Sequence, residues 1–102
     1  GVHGERAEAA DEGKVVVGEV IHVDRFGNLV TNLTPDLVPG YAVLEAELLP
    51  IGPLRATFGD VDGGSLVAYL GSGGTIEIAV RDGSAARRLG IGVGGEVRAR
   101  LG

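Results

Sequence analysis

The chain has 102 residues, 44% of them hydrophobic, with a net charge of −5 and no cysteine. That length suits one domain with a single core. The acidic balance argues against a nucleic-acid partner, which needs clustered Lys and Arg, and the missing cysteines exclude disulfides, thiolate metal sites and cysteine nucleophiles.

Nineteen glycines without a three-residue period exclude collagen. The aromatics are Phe26, Tyr41, Phe58 and Tyr69, so the core is expected to be Val, Leu, Ile and Ala. No apolar run approaches the ~20 residues that span a bilayer, and no signal-peptide pattern opens the chain. No membrane association is expected, and the lack of cysteine fits a reducing, cytoplasmic setting. Met is absent even at position 1, so a fragment, a processed product or a trimmed chain is expected.

Residues 1–13 ("GVHGERAEAADEG") are polar and lack apolar periodicity, which predicts a linker or disordered segment. The folded domain is expected over 14–102. "KVVVGEVIHV" (14–23) is a strand with Gly18 marking a bulge or bend. "DRFG" links it to a second strand, "NLVTNLT" (28–34). "TPDLVPG" (34–40) has room for one helical turn between prolines. "AVLEAELL" (42–49) is ambiguous between strand and helix, with the β-rich context and the following "PIGP" favouring a strand, and "LRATF" (54–58) follows. "GDVDGG" is a loop by composition. "SLVAYL" (65–70) and "TIEIAV" (75–80) are strands separated by "GSGG".

"GSAARRLG" (83–90) carries the helix signals: Ser84 as N-cap, two alanines, arginines in the last turn and Gly90 as terminator. A last strand closes the chain. About six or seven short strands with glycine corners and one short helix near 84–89 predict an all-β fold. A small Greek-key barrel removes exposed edges, and a two-sheet sandwich is the alternative.

Three loops offer chemistry. "DRFGN" (24–28) is a good turn, because Asp and Asn bond nearby amides and Gly27 takes a positive φ. Phe26 resists that reading, since a ring at a polar tip is costly unless it packs on something. "LGSGG" (70–74) resembles an anion-holding nest or a plain hairpin loop. It is no P-loop, lacking the Lys and the following helix. Alternation places Glu77 on the solvent face. "TFGDVDGG" holds Asp60 and Asp62 but lacks the closing Glu of an EF-hand. His3 and His22 complete no catalytic or metal triad. The residues alone indicate a binding module or part of a larger enzyme.

The ordered set "GEVIHVDRFGNLVTNL", "TFGDVDGG" and "GSGGTIEIAVRDGSAARRLGI" resembles the C-terminal domain of the S-adenosylmethionine (SAM) hydrolases, or SAM hydroxide adenosyltransferases. The SAM-dependent fluorinase and chlorinase belong to the same superfamily. The likeness covers about 14–102. It implies a β-barrel domain that meets a catalytic N-terminal α/β domain of a neighbouring subunit in a homotrimer. The implied reaction converts SAM and water to adenosine and methionine, with SAM as substrate and no cofactor.

By the same resemblance, Asp24 holds the methionine ammonium and Phe26 and Asn28 line the adenosine pocket. Phe58 packs on the adenine face, and Ser72 meets the methionine carboxylate. Backbone groups of Val80, Arg81 and Asp82 read the adenine edge. Gly73 and Gly74 follow Ser72 where relatives often carry a side chain, and Arg81 replaces a frequent Asn. No catalytic residue is implied in this chain, so alone it is expected to be inactive. A stand-alone interaction module and the matching domain of a halogenase are the alternatives.

Overall fold

The structure is a computed structural model and describes residues 8–9, 15–56 and 61–102. Among the described residues, alternating apolar residues and glycine corners build eight strands in chain order: β1 (Glu8–Ala9), β2 (Val15–Val23), β3 (Leu29–Thr31), β4 (Val43–Ala46), β5 (Leu49–Arg55), β6 (Leu66–Leu70), β7 (Ile76–Val80) and β8 (Glu96–Arg100). One helix, α1 (Ala85–Leu89), lies between β7 and β8. Among the described residues no helix is long and apolar enough to cross a membrane.

Strands β2 to β8 close in the order β2-β3-β7-β6-β5-β4-β8, with β8 returning to β2. This is the expected small all-β barrel. Closure pairs both edges of every ring strand, which leaves no long open ladder. Strand β1 adds to β2 outside the ring through Glu8 opposite Val17 and Ala9 opposite Val16. It falls inside the stretch expected as a linker, whose other residues lie outside the described ones.

The period of two in the strands determines what fills the barrel. Val16 and Val20 of β2, Leu29 of β3, Leu44 of β4, Ile76 and Ile78 of β7 and Val97 of β8 are buried together. Each such side chain contributes roughly 1.5–3 kcal/mol when removed from water. Among the described residues the core is aliphatic, as the composition predicts, while Phe26 and Tyr41 are exposed.

The helix forms where its caps predict. Ser84 accepts from the Arg87 amide, and Gly90 takes φ 68° while its amide bonds Ala86. The "TPDLVPG" segment makes one helix-like turn, with the amides of Leu37 and Val38 both donating to the Thr34 carbonyl.

Three expectations are corrected. "AVLEAELL" is two strands, because Glu47 and Leu48 turn the chain with φ 49° and 70°. Two left-handed residues in a two-residue connection make the turn that hairpin twist favours. Nothing in "EL" announces it. Glu47 is held by β8, its amide donating to the Glu96 carbonyl at 2.8 Å and its carboxylate accepting the Glu96 amide at 2.7 Å.

The second correction is that "PIGP" lies within β5 instead of following a strand. The register with β4 shifts between Leu44 and Glu45, and β5 meets β6 only through Leu54 and Arg55. Pro50 and Pro53 therefore sit at a bulge and away from the β6 ladder, where a missing N–H is tolerated.

The third concerns β2. Its register with β3 shifts between Val20 and His22, so the bulge is at Ile21 and not at Gly18. Gly18 is required by close approach: a Cβ there would meet Asn32 Oδ1 at 2.5 Å and Leu33 at 2.9 Å.

Candidate functional site

The segment "DRFGN" joins β2 to β3 as a tightly bonded loop. The Asp24 amide donates to the Asn28 carbonyl, and the Gly27 amide to the Asp24 carbonyl. The Asp24 carboxylate organises the rest. Oδ1 accepts the amides of Phe26 and Asn28 at 2.9 and 3.0 Å, and Oδ2 accepts the Asn28 side-chain amide at 3.0 Å. Burial pushes the Asp24 carboxyl up, but the hydrogen bonds from Asn28 and Phe26 and the nearby His22 outweigh it. The group is held below its ordinary 3.8.

This loop rests on the start of α1. Gly27, at φ 83°, lies against Ser84, and its carbonyl accepts the Ala86 amide at 2.9 Å. The loop is therefore tied to α1 by its backbone, yet Phe26 is 63% exposed, and among the described residues the Arg25 guanidinium stands 4.8 Å from its ring centroid. Such a contact is worth about 0.5–1 kcal/mol at an exposed site.

Residues 80–82 leave β7 beside this loop, because β3 and β7 run antiparallel with Leu29 opposite Ile78. Their backbone is largely engaged. The Val80 carbonyl accepts the Gly83 amide, the Arg81 amide donates to Ser65, and the Arg81 carbonyl accepts from Gly64. The Arg81 side chain reaches the Val61 carbonyl at 2.6 Å, and Arg88 of α1 reaches that of Gly64 at 2.7 Å. Asp82 holds φ 65°, a left-handed conformation that Asp tolerates. Residues 61–65 are thus tied to the same end of the barrel as Asp24, Phe26 and Asn28. Phe58 and Asp60 of "TFGDVDGG" lie outside the described residues.

Ser72 is not brought to that end. It lies in the turn between β6 and β7, closed by the Gly71 amide on Thr75 and the Gly74 amide on Gly71. One strand, β7, separates it from Val80, about 13 Å at the usual rise per residue. A cavity of about 380 Å³ opens beside this turn, lined by Leu70, Ile76, Val38, Leu54 and Arg55 among others, and by none of the "DRFGN" residues.

Two functional candidates escape sequence reasoning. Tyr69 and Glu77 face each other across β6 and β7, and the Tyr69 hydroxyl donates to Glu77 Oε1 at 3.2 Å. Burial, the Glu77 charge and hydrogen bond, and the more distant Asp24 charge push the Tyr69 hydroxyl up to about 12. Alternation correctly places Glu77 on the outer face but gives no sign of its partner. Among the described residues no three His, Asp or Glu side chains converge on a metal site.

Comparison with known proteins bears on this geometry. The family model of the SAM hydroxide adenosyltransferase C-terminal domain matches residues 18–98. The chain belongs to that family. The (R)-S-adenosyl-L-methionine hydrolase of Thermus thermophilus is 46% identical over 81 residues, covering 79% of this chain and 31% of that protein. The hydrolase of the same name from Salinispora tropica is 36% identical over 85 residues, covering 82% and 32%. The chain thus spans about a third of the curated relatives it matches.

Solved structures agree on the barrel. A conserved hypothetical protein from Thermus thermophilus superimposes with a TM-score of 0.74 at 44% identity, over 81% of this chain and 34% of that one. An uncharacterized conserved protein from Thermotoga maritima gives 0.78 at 30% identity, over 97% and 40%.

Proposed function

We propose that this domain supplies one wall of the substrate pocket of a SAM hydrolase, which converts SAM and water to adenosine and methionine. The observation that carries this reading is the "DRFGN" loop, held by Asp24 and α1 while it presents Phe26 to solvent. An exposed ring on such a loop has a use when it packs on a ligand, and base–aromatic stacking is worth roughly 1–3 kcal/mol. Family membership and the names of the two relatives support the chemistry.

In this reading Phe26, Asn28 and Phe58 surround the adenosine, with the backbone of Val80–Asp82 at its edge. The engaged groups of Val80 and Arg81 leave that edge chiefly to Asp82. Asp24 Oδ2 accepts one hydrogen bond and keeps an acceptor position for the methionine ammonium. Ser72 meets the carboxylate end, one strand away. The remaining wall comes from the family's N-terminal domain on a neighbouring subunit of a cytoplasmic homotrimer, and the isolated chain is inactive.

The engagement of Asp24 within its own loop favours a second reading, an interaction module in which Asp24 is only a turn residue. The two separate on one experiment. The full gene product, incubated with SAM in buffer containing fluoride and chloride, is expected to release adenosine and methionine in equal amounts, and a 5′-halogenated nucleoside with methionine would instead identify a halogenase. Intact SAM after prolonged incubation, together with no heat of adenosine binding, would sink the hydrolase reading.

A further inference from the structure

One register line crosses five strands on the outside of the barrel. His22 stands opposite Val30, Val30 opposite Glu77, Glu77 opposite Tyr69, and Tyr69 opposite Arg55. The neighbours of this line along β3 and β7, Leu29, Thr31, Ile76 and Ile78, are buried inside. The line therefore runs over the outer surface and crosses β7 at its second residue, Glu77. The "DRFGN" loop lies beyond one end of that strand and the Ser72 turn beyond the other. Glu77 and Tyr69 occupy the floor between the "DRFGN" loop and the Ser72 turn, the two loops assigned to the same ligand.

Glu77 touches both sides of this floor. Its carboxylate accepts the Tyr69 hydroxyl. Its side chain also fills the space beneath Gly71, where an added Cβ would stand 2.7 Å from Glu77 Cγ and collide with the carboxylate. Gly71 opens the turn that carries Ser72, and its amide and carbonyl both close that turn. Among the described residues the salt bridges are Arg98–Glu96 and Arg100–Glu45, and neither engages Glu77.

We propose, on the reading of the site above, that Glu77 is a positioning residue: it orients the Tyr69 hydroxyl and braces the Gly71–Gly74 turn for the amino-acid end of the ligand. A glycine at 71 and an acid at 77 form one device. The acid lies flat against the floor because position 71 has no side chain. The phenol stays neutral beside Glu77 and donates its one hydrogen to that carboxylate.

The test uses the full gene product and two probes, SAM and adenosine, of which only SAM has an amino-acid end. Calorimetry is expected to show the SAM Kd raised about tenfold by Glu77→Ala and by Tyr69→Phe, equivalent to about 1.4 kcal/mol. Adenosine affinity is expected to stay within about twofold. Glu77→Gln keeps an oxygen for the phenol and is expected to hold SAM within about threefold, while its tyrosinate absorbance midpoint falls from about 12 toward 10.0.

Equal losses for SAM and adenosine would make Glu77 merely structural and overturn the proposal, as would unchanged SAM affinity in Tyr69→Phe. If Glu77→Ala does not fold, Tyr69→Phe and Glu77→Gln decide it. A wild-type protein that binds neither probe overturns the hydrolase reading itself, and the proposal with it.

Discussion

Gly27 is seated directly on Ser84: a Cβ at position 27 would stand 2.6 Å from the Ser84 Cβ and run into its hydroxyl. The N-cap of α1 and the tip of the "DRFGN" loop are therefore one packed unit, closed by the Ala86 amide on the Gly27 carbonyl.

Gly27→Ala meets two penalties, the left-handed φ of 83° and the overlap with Ser84. Together they are expected to cost about 2–4 kcal/mol in urea unfolding. Adding Ser84→Gly, which weakens the cap by only a few tenths, is expected to recover about 1 kcal/mol or more. Strict additivity of the two changes would show that the residues are not in contact.

Thr31 is buried, donating to the Ile76 carbonyl and accepting the Leu33 amide at 3.1 Å. Thr31→Val keeps the shape but strands that amide and carbonyl. The loss is expected to be about 1–3 kcal/mol, read from the shift in denaturation midpoint at constant slope.

Asp24 is more acidic in the folded chain than in the unfolded one. Its contribution to stability is present above 3.8 and is lost as pH falls through the lower folded value. Acid titration of the unfolding free energy is expected to be flatter below pH 3.8 in Asp24→Asn. Identical acid limbs in the two proteins would remove the carboxylate from this role.

Tyr69 carries the opposite dependence. Its hydroxyl ionises at 10.0 when unfolded and at about 12 when folded, so the folded state binds the extra proton between these values. Stability from this group is complete below 10.0 and declines as pH rises toward 12. In a Tyr41→Phe background the single tyrosine is expected to titrate near 12 by ultraviolet absorbance, and near 10 after urea unfolding.

What the linear chain settles here is local. Ser84 and Gly90 bracket α1 because caps act within one turn. Alternating valines and isoleucines choose strands, and the glycine corners separate them. Two of the three chemistry-bearing loops stand out because each carries a Phe among ordinary turn residues.

Tertiary contact decides the rest. Glu47 and Leu48 turn left-handed because β8 holds Glu47 from outside its own segment. β5 runs through two prolines because the barrel asks few hydrogen bonds of their nitrogens. Asp24 and Asn28 stand next to Val80–Asp82 while Ser72 stands a strand away, which follows from β3 lying beside β7 and not beside β4. Tyr69 meets Glu77 through that same pairing of β6 with β7. Register across strands sets such neighbours, and strands that pair at long range leave no periodic signal of one another in the sequence.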